Sequence, residues 1–278
     1  MTSSQACANC DRALDDRDRF CPNCGQEALA DEARTFGYLL KASLAEATSL
    51  DSRLWRSMLL LWFRPGRLSR EYRLGHRQRY LSPISLFLIA NVAFFLAPSL
   101  TDFGITLIDQ YRLQPYSPLI QGWIESVLSA GDRSFEEWSS LYRQRVGELA
   151  KTMVILHVPL LAMVTMGLTA DKRLFYADHI VMALHFFAFL MWYLTLFPFV
   201  FLPMMKLIDA LTPAWDLPAW WIAVNFKFVY IPFMLRSATG ISWLRVIPTT
   251  VLFLLGLYAV HATYRLIQFV VTFGSITL

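Results

Sequence analysis

Five long apolar runs constrain this chain more than any other feature. A helix needs about 20 mostly apolar residues to cross a hydrocarbon core roughly 30 Å thick. Residues 81–100, 152–170, 179–204, 219–235 and 246–264 have that character. The third run carries Pro198 and Pro203 near its end, and the fourth contains Lys227. The apolar tail after Arg265 either extends the fifth or re-enters the membrane. Hydrophobic residues make up 56% of the 278 and charged residues only 17%. Soluble domains carry about 25% charged residues. That argues against disorder, a basic nucleic-acid-binding domain and a disulfide-stapled secreted module. The expected class is an all-α membrane protein of about five transmembrane helices, with amphipathic surface helices and a small zinc ribbon in front.

The net charge of +4 is unevenly spread. Residues 1–51 hold five basic and nine acidic side chains, residues 52–80 eight and one, and the remainder is nearly neutral. Arg and Lys in short loops stay on the cytoplasmic side. The arginines before the first run therefore place the N-terminus in the cytoplasm, and five spans place the C-terminus outside. Loops 171–178 and 236–245 are basic and read as internal. Loop 101–151, with seven acidic and five basic residues, reads as external. Residues 1–35 are polar and lack the apolar core of a signal peptide.

Three regions follow: a ribbon at 1–30, an amphipathic and arginine-rich juxtamembrane segment at 31–80, and a membrane bundle at 81–278. In the outer loop, Leu119, Ile120, Trp123, Ile124, Val127 and Leu128 repeat at helical spacing. Ser134 and Glu137 form a capping-box pattern, and Phe135, Trp138, Leu141, Tyr142, Val146 and Leu149 continue the stripe. Two amphipathic helices are expected there, lying on the outer surface or capping the bundle. Before the first span, Phe36, Leu40, Leu44 and Ala47 share a helical face, as do Leu54, Met58 and Leu61. This stretch is expected in the inner interface, with Trp55 and Trp62 at headgroup level.

All four cysteines lie near the N-terminus, as Cys7-x2-Cys10-x10-Cys21-x2-Cys24 followed by Gly25. Two CxxC knuckles supply the four thiolates that tetrahedral zinc prefers. So small a unit has almost no core, and the metal supplies its folding energy. One structural zinc per chain is the expectation. A redox dithiol pair and a rubredoxin-type iron centre are the alternatives. Asp11 stands where a second glycine is usual. The acidic balance of residues 1–51 repels phosphates and makes nucleic acid an improbable partner. A cytoplasmic protein docking on the ribbon fits better.

Residues 64–83 hold Arg64, Arg67, Arg70, Arg73, Arg77 and Arg79, with Tyr72 and Tyr80 interleaved and no lysine. Each basic residue near an anionic inner leaflet contributes roughly 1 kcal/mol. Topology and lipid anchoring account for much of this charge. Arginine alone, without lysine, also favours forked binding of phosphate or carboxylate. These six arginines and Tyr80 are the expected site for anionic lipid headgroups or a similar ligand.

The Phe20-Cys21-Pro22-Asn23-Cys24-Gly25 ribbon precedes Arg64-Pro65-Gly66, Tyr72, Gly75-His76-Arg77-Gln78-Arg79-Tyr80 and Pro83. Further on lies Tyr176-Ala177-Asp178-His179-Ile180-Val181-Met182-Ala183-Leu184-His185-Phe186. Together these motifs resemble an uncharacterised family of bacterial polytopic inner-membrane proteins with an N-terminal zinc ribbon. The resemblance implies an inner (cytoplasmic) membrane location and this architecture, and implies no reaction.

Ionisable residues inside spans cost about 2.5–3.5 kcal/mol at a helix centre and are functional candidates by default. The set here is His157, His185, Asn225, Lys227, His261 and Arg265, with Asp178 and His179 at the inner end of the third run; Asn91 is a further polar residue in the first. Asp178 and His185 share a face but stand about 10 Å apart along a helix. His157, His185 and His261 on three helices would make an open metal site if they converged. Hydrogen bonding between helices and a proton or solute path are the other readings. Lys227 would snorkel or pair with Asp178. No phosphate loop, nucleophile elbow, HExxH or dinucleotide fingerprint is present. The leading expectation is a non-catalytic membrane protein with a docking ribbon and an arginine collar. A small transporter or channel is the alternative, followed by an integral membrane enzyme acting on lipid.

Overall fold

The computed structural model describes residues 5–15, 18–27, 37, 52–97, 104–131, 133–169, 174–211 and 219–277. The expected helical face at Phe36, Leu40, Leu44 and Ala47 lies outside the described residues. The N-terminal unit is a two-stranded antiparallel ribbon, β1 (Gln5–Ala6) and β2 (Ala13–Leu14), with a further bridge between Phe20 and Glu27. Everything else described is helical.

Helix α1 (Ser52–Phe63) ends at the Arg64-Pro65-Gly66 turn, and α2 (Arg67–Arg73) follows. Ser57 ties this segment to the bundle entrance, because its Oγ accepts the Leu81 amide at 2.9 Å. Helix α3 (Pro83–Leu96) starts where sequence rules place it. Ser82 is the N-cap, its Oγ accepts the Ser85 amide at 3.2 Å, and Pro83 opens the first turn where no amide donor is needed. Its 14 residues span about 21 Å, shorter than the expected 81–100 run.

The outer loop forms α4 (Leu107–Arg112), α5 (Ser117–Ala130) and α6 (Phe135–Met153). The Ser134–Glu137 capping box is present. A 3-10 turn at Val154–Leu156 joins α6 to α7 (His157–Thr169). The two apolar stretches, Phe135–Ala150 and Val154–Thr169, meet at 61°. Pro159 explains the break: it lacks an amide donor and its ring crowds the carbonyl four residues earlier, that of Ile155.

Helix α8 (Tyr176–Leu196) runs through a π turn (Phe197–Phe201) into α9 (Leu202–Leu211). The wide turn accommodates Pro198. Helix α10 (Ala219–Thr239) contains Pro232 and ends at Gly240, and α11 (Trp243–Thr277) closes the chain. The tail beyond Arg265 therefore extends the fifth apolar run as one helix. Two helices are long and apolar enough to cross a membrane, Tyr176–Ile208 and Trp243–Thr277. A third crossing exists if the bent pair is one span. The chain thus has two or three candidate membrane helices, which suggest a membrane protein.

The main core surrounds α8. Every residue from His179 to Phe189 is buried, so this helix sits at the centre of the bundle. Phe87, Ala90 and Phe94 of α3, Leu161 of α7, Tyr230 of α10 and Phe253 of α11 pack around it. Helix α11 is peripheral: Leu244, Ile247, Val251, Leu252 and Leu255 are exposed. It runs antiparallel to α7, with His157 against His261 and Val164 against Gly256. Trp62 packs edge-on against Phe189 at 5.2 Å and stacks with Phe201 at 6.1 Å, so one face of its ring lies against the bundle. Trp55 is exposed.

A second core lies at the far end. Tyr116, Ile120 and Ile124 of α5 and Trp138, Tyr142 and Val146 of α6 bury their stripes against Phe269 and Phe273 of α11. Of the two expected placements for the amphipathic helices, the structure has the cap.

Candidate functional site

The two cysteine knuckles are built alike. In the first, the Asp11 amide donates to the Cys7 carbonyl at 2.8 Å and the Cys7 amide to Arg12. In the second, the Gly25 amide donates to Cys21 at 2.8 Å and the Cys21 amide to Gln26. Both closing residues are left-handed, Gly25 at φ 69° and Asp11 at φ 59°. Asp11 thus takes the glycine conformation at the position where glycine was missing; Asp tolerates it better than most side chains.

The four Sγ atoms lie within 4.8 Å of one another, with Cys7–Cys24 and Cys10–Cys21 both at 3.6 Å. Zn–S bonds of about 2.3 Å in a tetrahedron require Sγ separations near 3.8 Å. The cluster is therefore able to hold one metal ion such as zinc. The Arg12 amide and then the Asn23 side chain hold the Cys10 thiol down at about 6, while burial pushes Cys7 up to about 11. Among the described residues no other group of three or more His, Cys, Asp or Glu side chains lies close enough to hold an ion.

The arginine segment divides into separate roles. Gly66 at φ 74° lets the turn lie directly on α10: a Cβ there would stand 2.2 Å from the Met234 carbonyl oxygen. Leu68, Ser69 and Tyr72 then face inward and are buried. Ser69 meets His185 of α8, Oγ to Nδ1 at 2.8 Å. The opposite face carries Arg67, Arg70 and Arg73 at three-residue spacing, with Arg64 before them. These four and Arg236 of α10 line a cleft of about 570 Å³, walled also by Phe63, Phe233 and Trp243. Arg67 pairs with Glu71 at 3.3 Å, and Glu71 also binds His76. Burial pushes the Glu71 carboxyl up, but His76 and Arg67 outweigh it and hold it below the ordinary value. Among the described residues the side chains of Arg64, Arg70 and Arg73 have no hydrogen bond or ion pair. Arg236 stacks on Trp243 at 4.8 Å and donates to the Ile241 carbonyl at 2.9 Å.

Arg77, Arg79 and Tyr80 stand apart from this cleft. Arg77 lies over the Tyr72 ring at 4.7 Å. Arg79 donates to the Asn9 carbonyl in the first cysteine knuckle, and Gln78 donates to the Gly25 carbonyl at 3.3 Å. One short stretch thus grips both knuckles. Tyr80 is half-buried against the main core. Sequence reasoning missed Arg236, Phe233 and Trp243 as cleft residues. Their signal, the basic 236–245 loop, was read as topology alone.

The three expected bundle histidines do not converge. His185 belongs to Ser69. His157 and His261 meet, Nε2 to Nδ1, at 3.3 Å. Arginine only donates, and a carbonyl only accepts. Arg265 Nε donates to His261 Nε2 at 3.3 Å, and His157 Nδ1 donates to the Val154 carbonyl at 3.1 Å. His261 Nδ1 must then donate to His157 Nε2. Both ring nitrogens of His157 and of His261 are thus used in these hydrogen bonds. Asp178 accepts the Phe175 amide at 2.9 Å and so caps α8. His179 is buried beside it, lining a minute void with Ser69 and Arg73. Asn225 is half-buried on α10, and the Lys227 side chain lies outside the described residues.

Residues 51–95, which hold α1, α2 and most of α3, match a protein family described as "Protein of unknown function (DUF3667)". The matched segment supplies four of the five cleft arginines and the Gly66 contact. No curated protein and no solved structure matches the chain.

Proposed function

We propose that this is a non-catalytic protein of the bacterial inner membrane that holds an anionic group in its arginine cleft. The carrying observation is the meeting of Arg64, Arg67, Arg70 and Arg73 with Arg236, brought from about 160 residues away, around one cavity. Arg forks bind phosphate and carboxylate oxygens two at a time. The cleft lies at the end where α8 and α11 begin and α10 finishes. Loop charge assigns that end to the cytoplasm, together with the ribbon that Gln78 and Arg79 hold against it. This path requires five crossings, by α3, α7, α8, α10 and α11, of which α8 and α11 are long and apolar enough on their own. A structural zinc in the ribbon supports the module, which presents its outer face to a cytoplasmic protein partner.

The test uses purified full-length protein in neutral detergent. Inorganic phosphate or pyrophosphate should raise the melting temperature, and Arg70→Gln with Arg73→Gln should abolish the rise. An equal rise in that variant would overturn the reading. The alternative, a small transporter, draws on the ordered Arg265–His261–His157 chain. It requires liposome proton or solute flux that falls in His261→Ala with folding retained.

A further inference from the structure

The geometry points to a lipid phosphomonoester as the cleft's occupant: a dianionic phosphate among the arginines, on a lipid whose chain lies along α11. This deepens the anion-site reading above and rests on it.

Charge comes first. Glu71, the sole carboxylate on α2, is already engaged by Arg67 and His76. It leaves Arg64, Arg70 and Arg73 uncompensated. A single negative charge, such as a carboxylate or phosphodiester, matches this set poorly. A phosphomonoester carries about −1.5 to −2 at pH 7 and has three strong acceptor oxygens. Three terminal oxygens can be shared by forks arriving from two walls, α2 on one side and Arg236 on the other.

The apolar side of the cleft selects the source. Phe63 is 76% exposed, Phe233 and Trp243 each 49%. The strip continues along α11 through Leu244, 89% exposed, and Ile247, 72% exposed. Stacking on Trp243 holds the Arg236 fork at the boundary between charge and hydrocarbon. A soluble anion would leave that strip uncovered. A membrane lipid fills both halves, its headgroup among the arginines and its chain on the strip. The cavity of about 570 Å³ is also far roomier than inorganic phosphate requires.

The experiment retains the full chain in phosphatidylcholine nanodiscs doped with phosphatidate or, at matched surface charge, phosphatidylglycerol. Native mass spectrometry counts the lipid that stays bound. Phosphatidate should be retained about ten-fold more than phosphatidylglycerol, and Arg70→Gln with Arg73→Gln should remove the preference. Retention should fall between about pH 7.5 and 5.5, as the phosphate regains its second proton near pH 6. The charges lining the cleft are Arg64, Arg67, Arg70, Arg73 and Arg236, with Glu71 of α2 beside Arg67. His76, which binds Glu71 behind Arg67, is replaced in a His76→Gln control. Leu244→Gln with Ile247→Gln, on the strip and outside the arginine cleft, should weaken phosphatidate retention and leave inorganic phosphate binding unchanged. Equal retention of both lipids that still falls in the arginine variant would overturn the phosphomonoester and leave the anion site standing. Inorganic phosphate binding as tightly as phosphatidate, with phosphatidate retention unaffected by Leu244→Gln and Ile247→Gln, would overturn the lipid source. Retention unchanged in the arginine variant would overturn both readings.

Discussion

Gly66 lies directly on the Met234 carbonyl, with no room for a side chain between α2 and α10. Its left-handed φ of 74° would itself cost a substituent roughly 1–2 kcal/mol. Overpacking adds about 1–3 kcal/mol. Gly66→Ala should therefore destabilise the protein by roughly 2–5 kcal/mol. It should also push Arg236 away from the α2 arginines. A melting curve in detergent reads the first effect, and loss of phosphate-induced stabilisation reads the second. Wild-type behaviour in both would mean that the contact does not hold the cleft together.

Asp11 offers the opposite change. Glycine there relieves a left-handed strain of roughly 1–2 kcal/mol but adds about 0.5–1 kcal/mol of unfolded-state entropy. The net gain for Asp11→Gly is about 0–1.5 kcal/mol, or up to roughly ten-fold tighter metal binding. Competition with a chelator measures it. Cys21→Ser with Cys24→Ser should abolish binding in the same assay.

Arg79 and Gln78 hold the ribbon through the Asn9 and Gly25 carbonyls. A hydrogen bond from a charged donor contributes about 1.5–3 kcal/mol. Arg79→Ala should therefore raise undocking of the ribbon by roughly ten- to a hundred-fold while leaving its metal in place. Hydrogen exchange at residues 5–27 reports undocking, and metal analysis checks retention. Chelation of the wild type should conversely speed exchange at residues 76–80. Unchanged exchange there would mean that the two parts are not coupled.

Glu71 is held below its ordinary value near 4.5, burial being outweighed by His76 and Arg67. A carboxyl lowered in the folded state adds stability above its unfolded pKa. That stability is lost as pH falls through the lowered folded value. The wild type should thus lose stability on acidification below about pH 4.5. Glu71→Gln should flatten that slope and be less stable near neutrality. Melting temperatures across this range decide it, and parallel curves for the two proteins would contradict the assignment.

Local rules carried far in this chain. Ser82-Pro83, Ser134 with Glu137, and the paired CxxC knuckles each became the start, cap or turn that their residue types demand. The amphipathic stripe at Ile120, Ile124, Trp138 and Tyr142 showed which faces would be buried. It did not show that Phe269 and Phe273 would cover them, because a pairing between distant segments leaves no local periodicity. The arginine collar illustrates the same limit. Spacing placed Arg67, Arg70 and Arg73 on one face, yet it could not bring Arg236 to them or separate Arg79 from them. Those outcomes depend on Gly66 touching α10 and on the ribbon folding back across more than fifty residues. His157 and His261 met for a similarly non-local reason, the antiparallel run of α7 and α11. A bend at Pro159 was foreseeable, but not which partner would face it.

Helix α11 is about 52 Å long, well beyond the roughly 30 Å hydrocarbon core. Its first turn, at Trp243, walls the cleft, and its last turns, at Phe269 and Phe273, form the heart of the second core. The two ends of the bundle are thus joined by one continuous helix. A tilt of about 5° around one end would sweep the other through roughly 4–5 Å. Whatever seats itself beside Trp243 and whatever leans on the second core act on the two ends of a single lever.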